Sequence, residues 1–301
     1  MTTLADPSTA TPGRPALKKV GAYIALTKPR IIELLLVTTV PTMLVAERGI
    51  PSLWLVVATV LGGTASAGGA NAINMYVDRD IDAIMERTKN RPLVTGAMTP
   101  RAALTFAIVL EAVAFLFLWF TVNLLAASLA VAACLFYVFI YTLWLKRTSR
   151  QNIVIGGAAG AAPVLIGWAA VTNDLSWAPW VLFAIVFFWT PPHFWALAIK
   201  YKDDYARADV PMLPSVASPR DVRIQIVAYS VVVVALSLVF GVVADLGWIY
   251  HLSAAALGVG FLVLAIQTYR TESAKVAMRL FTFSITYLTL LFAAMGVAAV
   301  V

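Results

Sequence analysis

The length of its apolar runs constrains this chain more than any other feature. They lie at roughly 30–47, 53–76, 102–121, 124–145, 152–171, 178–199, 222–244, 249–269 and 279–301. Each is close to the ~20 residues that an α-helix needs to cross a hydrocarbon core about 30 Å thick. In such a core every backbone N–H and C=O must be satisfied within the protein, which restricts a run of this kind to a helix. The sequence therefore predicts an all-α, polytopic membrane protein with nine transmembrane helices. Asn123 is the one clear polar break between the third and fourth runs.

Charge placement supports the count. With the N-terminus inside, every Lys and Arg of the chain except Arg48 falls on the inner side. Basic residues collect on the cytosolic side of membrane proteins, and removing one span would reverse the pattern for every later loop. The C-terminus is then outside. Trp54, Trp119, Trp177, Trp180, Trp248 and Tyr250 fall at the outer ends, where interfacial aromatic residues belong. The net charge of +7 reports this orientation and gives no reason to invoke nucleic acid as a partner. Only 12% of the residues are charged, against about 25% in soluble domains.

Residues 1–20 are small, polar and Pro-containing, with no short apolar core of a cleavable signal, and read as a disordered cytosolic tail. Residues 21–301 then form a single transmembrane domain. Cys134 is the only cysteine, so neither an internal disulfide nor a cysteine-based metal site is available.

The inner loops after the second and sixth spans are long, and each begins with acids. In "NAINMYVDRDIDAIMERTKNRPL", residues 71–93, Asn74, Asp78 and Asp82 are spaced four and four. Four residues of α-helix turn about 400°, so the three side chains form one stripe about 12 Å long. Asn71 joins it, whereas Asp80 points to the opposite face, either solvated or paired with Arg79 or a loop base. A solvated helix end is the plain alternative, but acids at a C-terminal helix end oppose the helix dipole. Oxygen ligands in a row suit a hard cation such as Mg²⁺, which favours carboxylates together with substrate phosphates.

The second cluster lies in "TPPHFWALAIKYKDDYARADVPMLP", residues 190–214. On an unbroken helix Lys200 and Asp204 each fall within about 20° of His193, which makes Asp204 the inward acid and Asp203 the second choice. Pro191 and Pro192 loosen the preceding turn. Two acidic helix ends on one side suggest a shared metal–diphosphate site, with charge neutralised by Arg30, Arg87, Arg91, Lys146 and Arg147. Positive-inside topology alone is the plain alternative for each of these bases. His193, an ionisable group inside a span, is a functional candidate, while His251 reads as interfacial. Glu111 sits deep in the third span without an assignable role. "LGGTASAGGA" and "IGGAAGAAP" read as close helix packing, not phosphate loops.

At this point the residues resemble a known family. "NAINMYVDRDID" resembles the NxxxDxxxD motif of the UbiA-type intramembrane prenyltransferases, and nine spans match that superfamily. The resemblance implies a helical bundle around a central cavity, with Mg²⁺ and an isoprenyl diphosphate held at the cytosolic end. Residues 27–39, 78–93, 145–168 and 189–214 narrow it to the haem-farnesylating branch, and spans seven to nine add little beyond hydropathy. Lys200 stands where the wider superfamily carries an early Asp, which favours haem over a phenolic acceptor and leaves the number of Mg²⁺ ions open.

The implied reaction joins the farnesyl group of farnesyl diphosphate to a vinyl group of haem b, giving haem O for terminal oxidases. Asn74, Asp78, Asp82, Asp203 and Asp204 would hold Mg²⁺. Arg30, Lys146 and Arg147, with Arg87, Arg91 and Lys200, would hold the diphosphate. His193 would meet the haem. A bacterial-type plasma membrane location and contact with a haem A synthase go with this reading. A phenol-directed prenyltransferase is the first alternative. A transporter is a remote one, because its acids would sit near the bilayer midplane.

Overall fold

The computed structural model describes the backbone of residues 15–301 and the side chains of residues 19–29 and 36–301. Residues 1–14 of the expected tail, and the side chains of Arg30 and Glu33, lie outside the described residues.

The described chain is helical throughout, without a strand. A first helix not read from the sequence, α1 (Pro15–Thr27), occupies the end of the expected tail. It stops at Lys28, whose φ of 52° turns the chain into α2 (Pro29–Glu47). Then come α3 (Leu53–Val77), the short α4 (Arg79–Ile84), α5 (Pro100–Thr121) and α6 (Leu124–Leu135). A π-helix over Phe136–Leu145 continues α6 into α7 (Lys146–Thr148). The chain finishes with α8 (Asn152–Thr172), α9 (Trp177–Lys200), the short α10 (Lys202–Arg207) and α11 (Leu213–Val216), then α12 (Pro219–Val243), α13 (Trp248–Arg270) and α14 (Ala274–Ala298).

Among the described residues, eight helices are long and apolar enough to cross a membrane. They correspond to the second through ninth expected spans. The first expected span is α2, which contributes a shorter apolar helix over Leu36–Glu47. Asn123 caps α6, its Oδ1 accepting from Ala126 N at 2.8 Å, so the one polar break between spans three and four marks a real helix start.

Small residues set the packing. α3 packs on α5, α8 on α9, and α2 between α8 and α14. A Cβ at Gly62 would run into the Leu118 side chain, and one at Gly167 would meet the Thr39 carbonyl. The Gly-rich stretches thus let helices approach closely, as small residues do in membranes. Large apolar side chains cover the outside, among them Phe120 of α5, Val242 of α12 and Leu252 of α13, the surface a bilayer accepts and water does not. Glu111 is placed between helices: its Oε1 accepts from Ser66 Oγ of α3 at 2.9 Å, while Oε2 is enclosed without a partner.

Candidate active site

The α3–α4 junction carries the first acidic stripe. Asp78 N bonds Asn74 O at 2.9 Å and Asp82 N bonds Asp78 O at 2.8 Å, so helical register continues through the bend. The stripe therefore survives as expected, and Asn74, Asp78 and Asp82 are all buried.

Bases close on these acids. Lys146 Nζ reaches Asp78 Oδ2, which also accepts from Asn74 Nδ2 at 2.8 Å. Arg91 Nη1 pairs with Asp82 Oδ2 at 2.6 Å. Asn74 Nδ2 also approaches Thr142 Oγ1 at 3.1 Å. The π-helix aims this wall of the site. Thr142 Oγ1 bonds Tyr137 O, five residues back, at 2.8 Å, and the wide register runs on to Lys146. Stretches of π-helix often occur at functional sites. Tyr137 and Tyr141 stack on this wall with ring centroids 5.4 Å apart. Tyr141 lies where a Cβ of Gly156 would be, so only glycine fits there.

Arg147 divides its contacts. It grips Asp80 with two bonds of 2.8 Å, and its Nη2 stands 3.8 Å from Asp78 Oδ1. The loop-base pairing expected for Asp80 is thus with Arg147. Those hydrogen bonds, against the smaller opposing effect of burial, hold the Asp80 carboxyl at about 2.

The second acidic segment docks on the first. Glu86 N, in the loop after α4, donates to Asp204 Oδ1 at 3.0 Å, and Arg207 Nη2 pairs with the same oxygen at 2.6 Å. Burial alone would raise the Asp204 carboxyl, but the Glu86 amide and Arg207 together outweigh it and leave it below its ordinary value. Here the helical-wheel expectation fails. Tyr201 N bonds Ala198 O at 3.2 Å and Asp204 N bonds Tyr201 O at 3.1 Å, both three residues back, so the chain tightens between α9 and α10. The 100° step no longer applies, and Lys200 is exposed while His193 and Asp204 are buried. Lys200 lies over the Tyr201 ring, 5.4 Å from its centroid, and not on the acidic stripe. Asp203 is exposed and does not join Asp204. Arg87 is also exposed, and its backbone, not its guanidinium, helps hold Asp204.

Lys28 is the residue that sequence reasoning missed. Its Nζ donates to Asn74 Oδ1 at 2.7 Å. Burial, then the charges of Arg91 and Lys146, lower its ammonium to about 7. The signal was present in "TKPR", a basic pair flanking a proline directly before the first span, but positive-inside topology accounts for it equally well. His193 lies on the α9 face toward α14, with Nδ1 2.7 Å from Ser284 Oγ.

Among the described residues, no three His, Cys, Asp or Glu converge as a ready-made metal site. Each buried acid is instead neutralised by a base. Besides Glu111 Oε2, two enclosed carboxylate oxygens of the acidic segments nonetheless have no hydrogen-bond partner, Asp78 Oδ1 and Asp204 Oδ2. Buried polar atoms are almost always satisfied. The Asp78 oxygen, left open on a carboxylate that also meets Asn74, Lys146 and Arg147, fits a hard cation that completes its shell with phosphate oxygens.

A model of the UbiA prenyltransferase family matches residues 35–297. The chain is 56% identical over 290 residues to a protoheme IX farnesyltransferase of Streptomyces avermitilis, covering 94% of this chain and 95% of that one. The fold is similar to a digeranylgeranylglyceryl phosphate synthase structure, with TM-score 0.78, 17% identity and coverage of 94% and 99% of the two chains. It is also similar to a UbiA homologue from Archaeoglobus fulgidus bound to DMAPP and Mg²⁺, with TM-score 0.60, 16% identity and coverage of 91% and 99%.

Proposed function

The chain belongs to the UbiA prenyltransferase family, and from that premise we propose that it transfers the farnesyl group of farnesyl diphosphate to a vinyl group of haem b, giving haem O. The observation that carries the transferase part is the buried stripe of Asn74, Asp78 and Asp82, with an Asp78 carboxylate oxygen open among bases. The acceptor follows from 56% identity over nearly the whole chain to a relative that bears this name.

Asn74, Asp78, Asp82 and Asp204 would hold Mg²⁺. When bound, the ion neutralises diphosphate oxygens and favours departure of the leaving group. Lys28, Arg91, Lys146 and Arg147 bind the same diphosphate. In the free chain Arg91, Lys146 and Arg147 pair with acids and Lys28 with the Asn74 amide oxygen, so substrate phosphate replaces these partners and the bases need no large movement. Arg30 is proposed for the same role from its place before the first span. As the farnesyl C1–O bond breaks, these cations stabilise the negative charge that grows on the diphosphate. Tyr137 and Tyr141 line the wall beside them and keep water from the allylic cation. The terminal vinyl carbon bonds to farnesyl C1. Water then adds at the inner vinyl carbon and loses one proton, leaving the hydroxyl of haem O. His193 meets the haem. The apolar farnesyl chain lies among the spans, which explains why the reaction belongs in a membrane.

We place the site and the N-terminus on the cytosolic side of a plasma membrane and the C-terminus outside, because all basic residues but Arg48 fall on one side. The test is an acceptor assay. Purified protein in lipid receives farnesyl diphosphate, Mg²⁺ and either haem b or a panel of phenolic acids, with products read by mass. A farnesylated, hydrated haem that vanishes when Mg²⁺ is chelated is expected. A prenylated phenol would overturn the acceptor, and normal turnover by Asp78→Ala would overturn the site.

A further inference from the structure

His193 is fixed on both faces and at one edge. Trp189 stacks on its imidazole at 4.2 Å with 18° between planes, and Phe281 at 4.6 Å with 27°. Two near-parallel rings at those distances are too wide to share one face, so the imidazole lies between them. Phe194 meets it edge-on at 5.2 Å. The remaining contact is at the ring edge, where Nδ1 stands 2.7 Å from Ser284 Oγ.

The Ser284 hydroxyl has one hydrogen, and its Oγ donates to Phe281 O at 2.6 Å. With that hydrogen given to Phe281 O, Ser284 Oγ offers His193 a lone pair, an arrangement that matches a protonated Nδ1. A neutral imidazole carries one N–H, and Nε2 keeps its lone pair. Among the described residues Nε2 has no hydrogen-bond partner, and it is not one of the fully enclosed polar atoms left unpaired. It is the ring edge left without a hydrogen-bond partner. Trp189 Nε1 donates to Ser284 O at 2.9 Å and fastens the serine from a second direction.

We infer that Ser284 is a positioning residue that holds His193 in the Nδ1–H tautomer and presents Nε2 as an axial ligand to the iron of the porphyrin substrate. A hydrogen bond on the other ring nitrogen orients a ligating histidine and raises its basicity. An imidazole offered by its edge is how iron porphyrins are commonly held. A ring already clamped on both faces loses little freedom when it binds. The same tautomer excludes the competing role, because Nε2 without a hydrogen cannot donate to a porphyrin carboxylate. This inference rests on the proposed haem acceptor.

The experiment uses the full chain in lipid nanodiscs with haem b, reading haem affinity and the iron–histidine stretch of the ferrous complex by resonance Raman. Farnesyl diphosphate affinity serves as the folding control. His193→Ala is expected to lose the stretch. Ser284→Ala is expected to weaken haem binding by about 10- to 100-fold and lower the stretch frequency, with farnesyl diphosphate affinity unchanged. Ser284→Thr, which keeps the hydroxyl, should restore both. If His193→Ala loses the stretch while Ser284→Ala matches the wild type, the role of Ser284 falls and the haem reading stands. If His193→Ala keeps the stretch, the roles of His193 and Ser284 fall and the haem reading stands; if the wild type binds no haem, both fall together.

Discussion

Removing the ammonium of Lys146 is expected to separate the stability of the site from its chemistry. Asp78 is fully buried, and in the free chain its carboxylate is neutralised chiefly by Lys146. In Lys146→Met the charge keeps the Asn74 amide at 2.8 Å and Arg147 at 3.8 Å, the latter already committed to Asp80. Breaking a buried pair from one side costs about 3–5 kcal/mol, and the remaining partners put this case near about 3 kcal/mol, a factor of more than about 100 in the unfolding equilibrium. Asp78→Asn leaves a lysine whose side chain is 14% exposed and can extend toward the surface, so it costs only about 1 kcal/mol. The double variant has neither buried charge and should return to within about 1 kcal/mol of wild type, a coupling of about 3 kcal/mol. The assay is unfolding in mixed micelles titrated with denaturing detergent, followed by tryptophan fluorescence. Farnesyl transfer should be lost in all three variants, including the stable double one. If the costs of the single variants simply add in the double, the pair is not coupled and the reasoning fails.

Lys28→Met should lower kcat/KM for farnesyl diphosphate by about 10-fold or more through the lost charge-assisted bond, with haem affinity unchanged; equal loss for both substrates would remove Lys28 from the diphosphate end. Gly156→Ala drives a methyl into the Tyr141 ring and should cost about 1–3 kcal/mol in the same unfolding assay, with recovery when Tyr141 is shortened to Leu; unchanged stability of Gly156→Ala alone would contradict the packing. The Asp80–Arg147 pair lowers the folded-state value of Asp80 to about 2, from 3.8. Its contribution is therefore fully present above about pH 4 and is lost as pH falls through about 2. Because the Asp80 side chain is 61% exposed, Asp80→Asn should change stability by no more than about 1 kcal/mol between pH 5 and 8, with no pH trend in that window; a trend there would assign the titration to another group.

The legible parts of the site were those with a local cause. The stripe of Asn74, Asp78 and Asp82 follows from four-residue spacing, and the i→i−4 bonds through Asp78 keep that spacing meaningful across the bend. The same wheel misplaced Lys200 because two three-residue bonds around Tyr201 change the turn per residue. Nothing in the local pattern there announces the tightening, since the residues that stop α9 also suit a helix. Lys28 was hidden for another reason: a base at the foot of a span satisfies the positive-inside pattern whether or not it faces a site.

Hydropathy and composition by themselves determined that this is a polytopic helical membrane protein, because a bilayer core leaves long apolar segments no alternative to a helix. Helical spacing determined which acids share a face. Only the tertiary structure decided what those acids meet. Lys28 reaches Asn74 across 46 residues, Lys146 reaches Asp78 across 68, and the Glu86 amide reaches Asp204 across 118. Ser284 and His193 are 91 residues apart. Spacing along one helix is a property of the backbone, which every short segment carries with it. A partner on another helix depends on how closely the helices approach and how each is turned about its axis, and these are set by small residues such as Gly156 and by the π-helical register before Lys146.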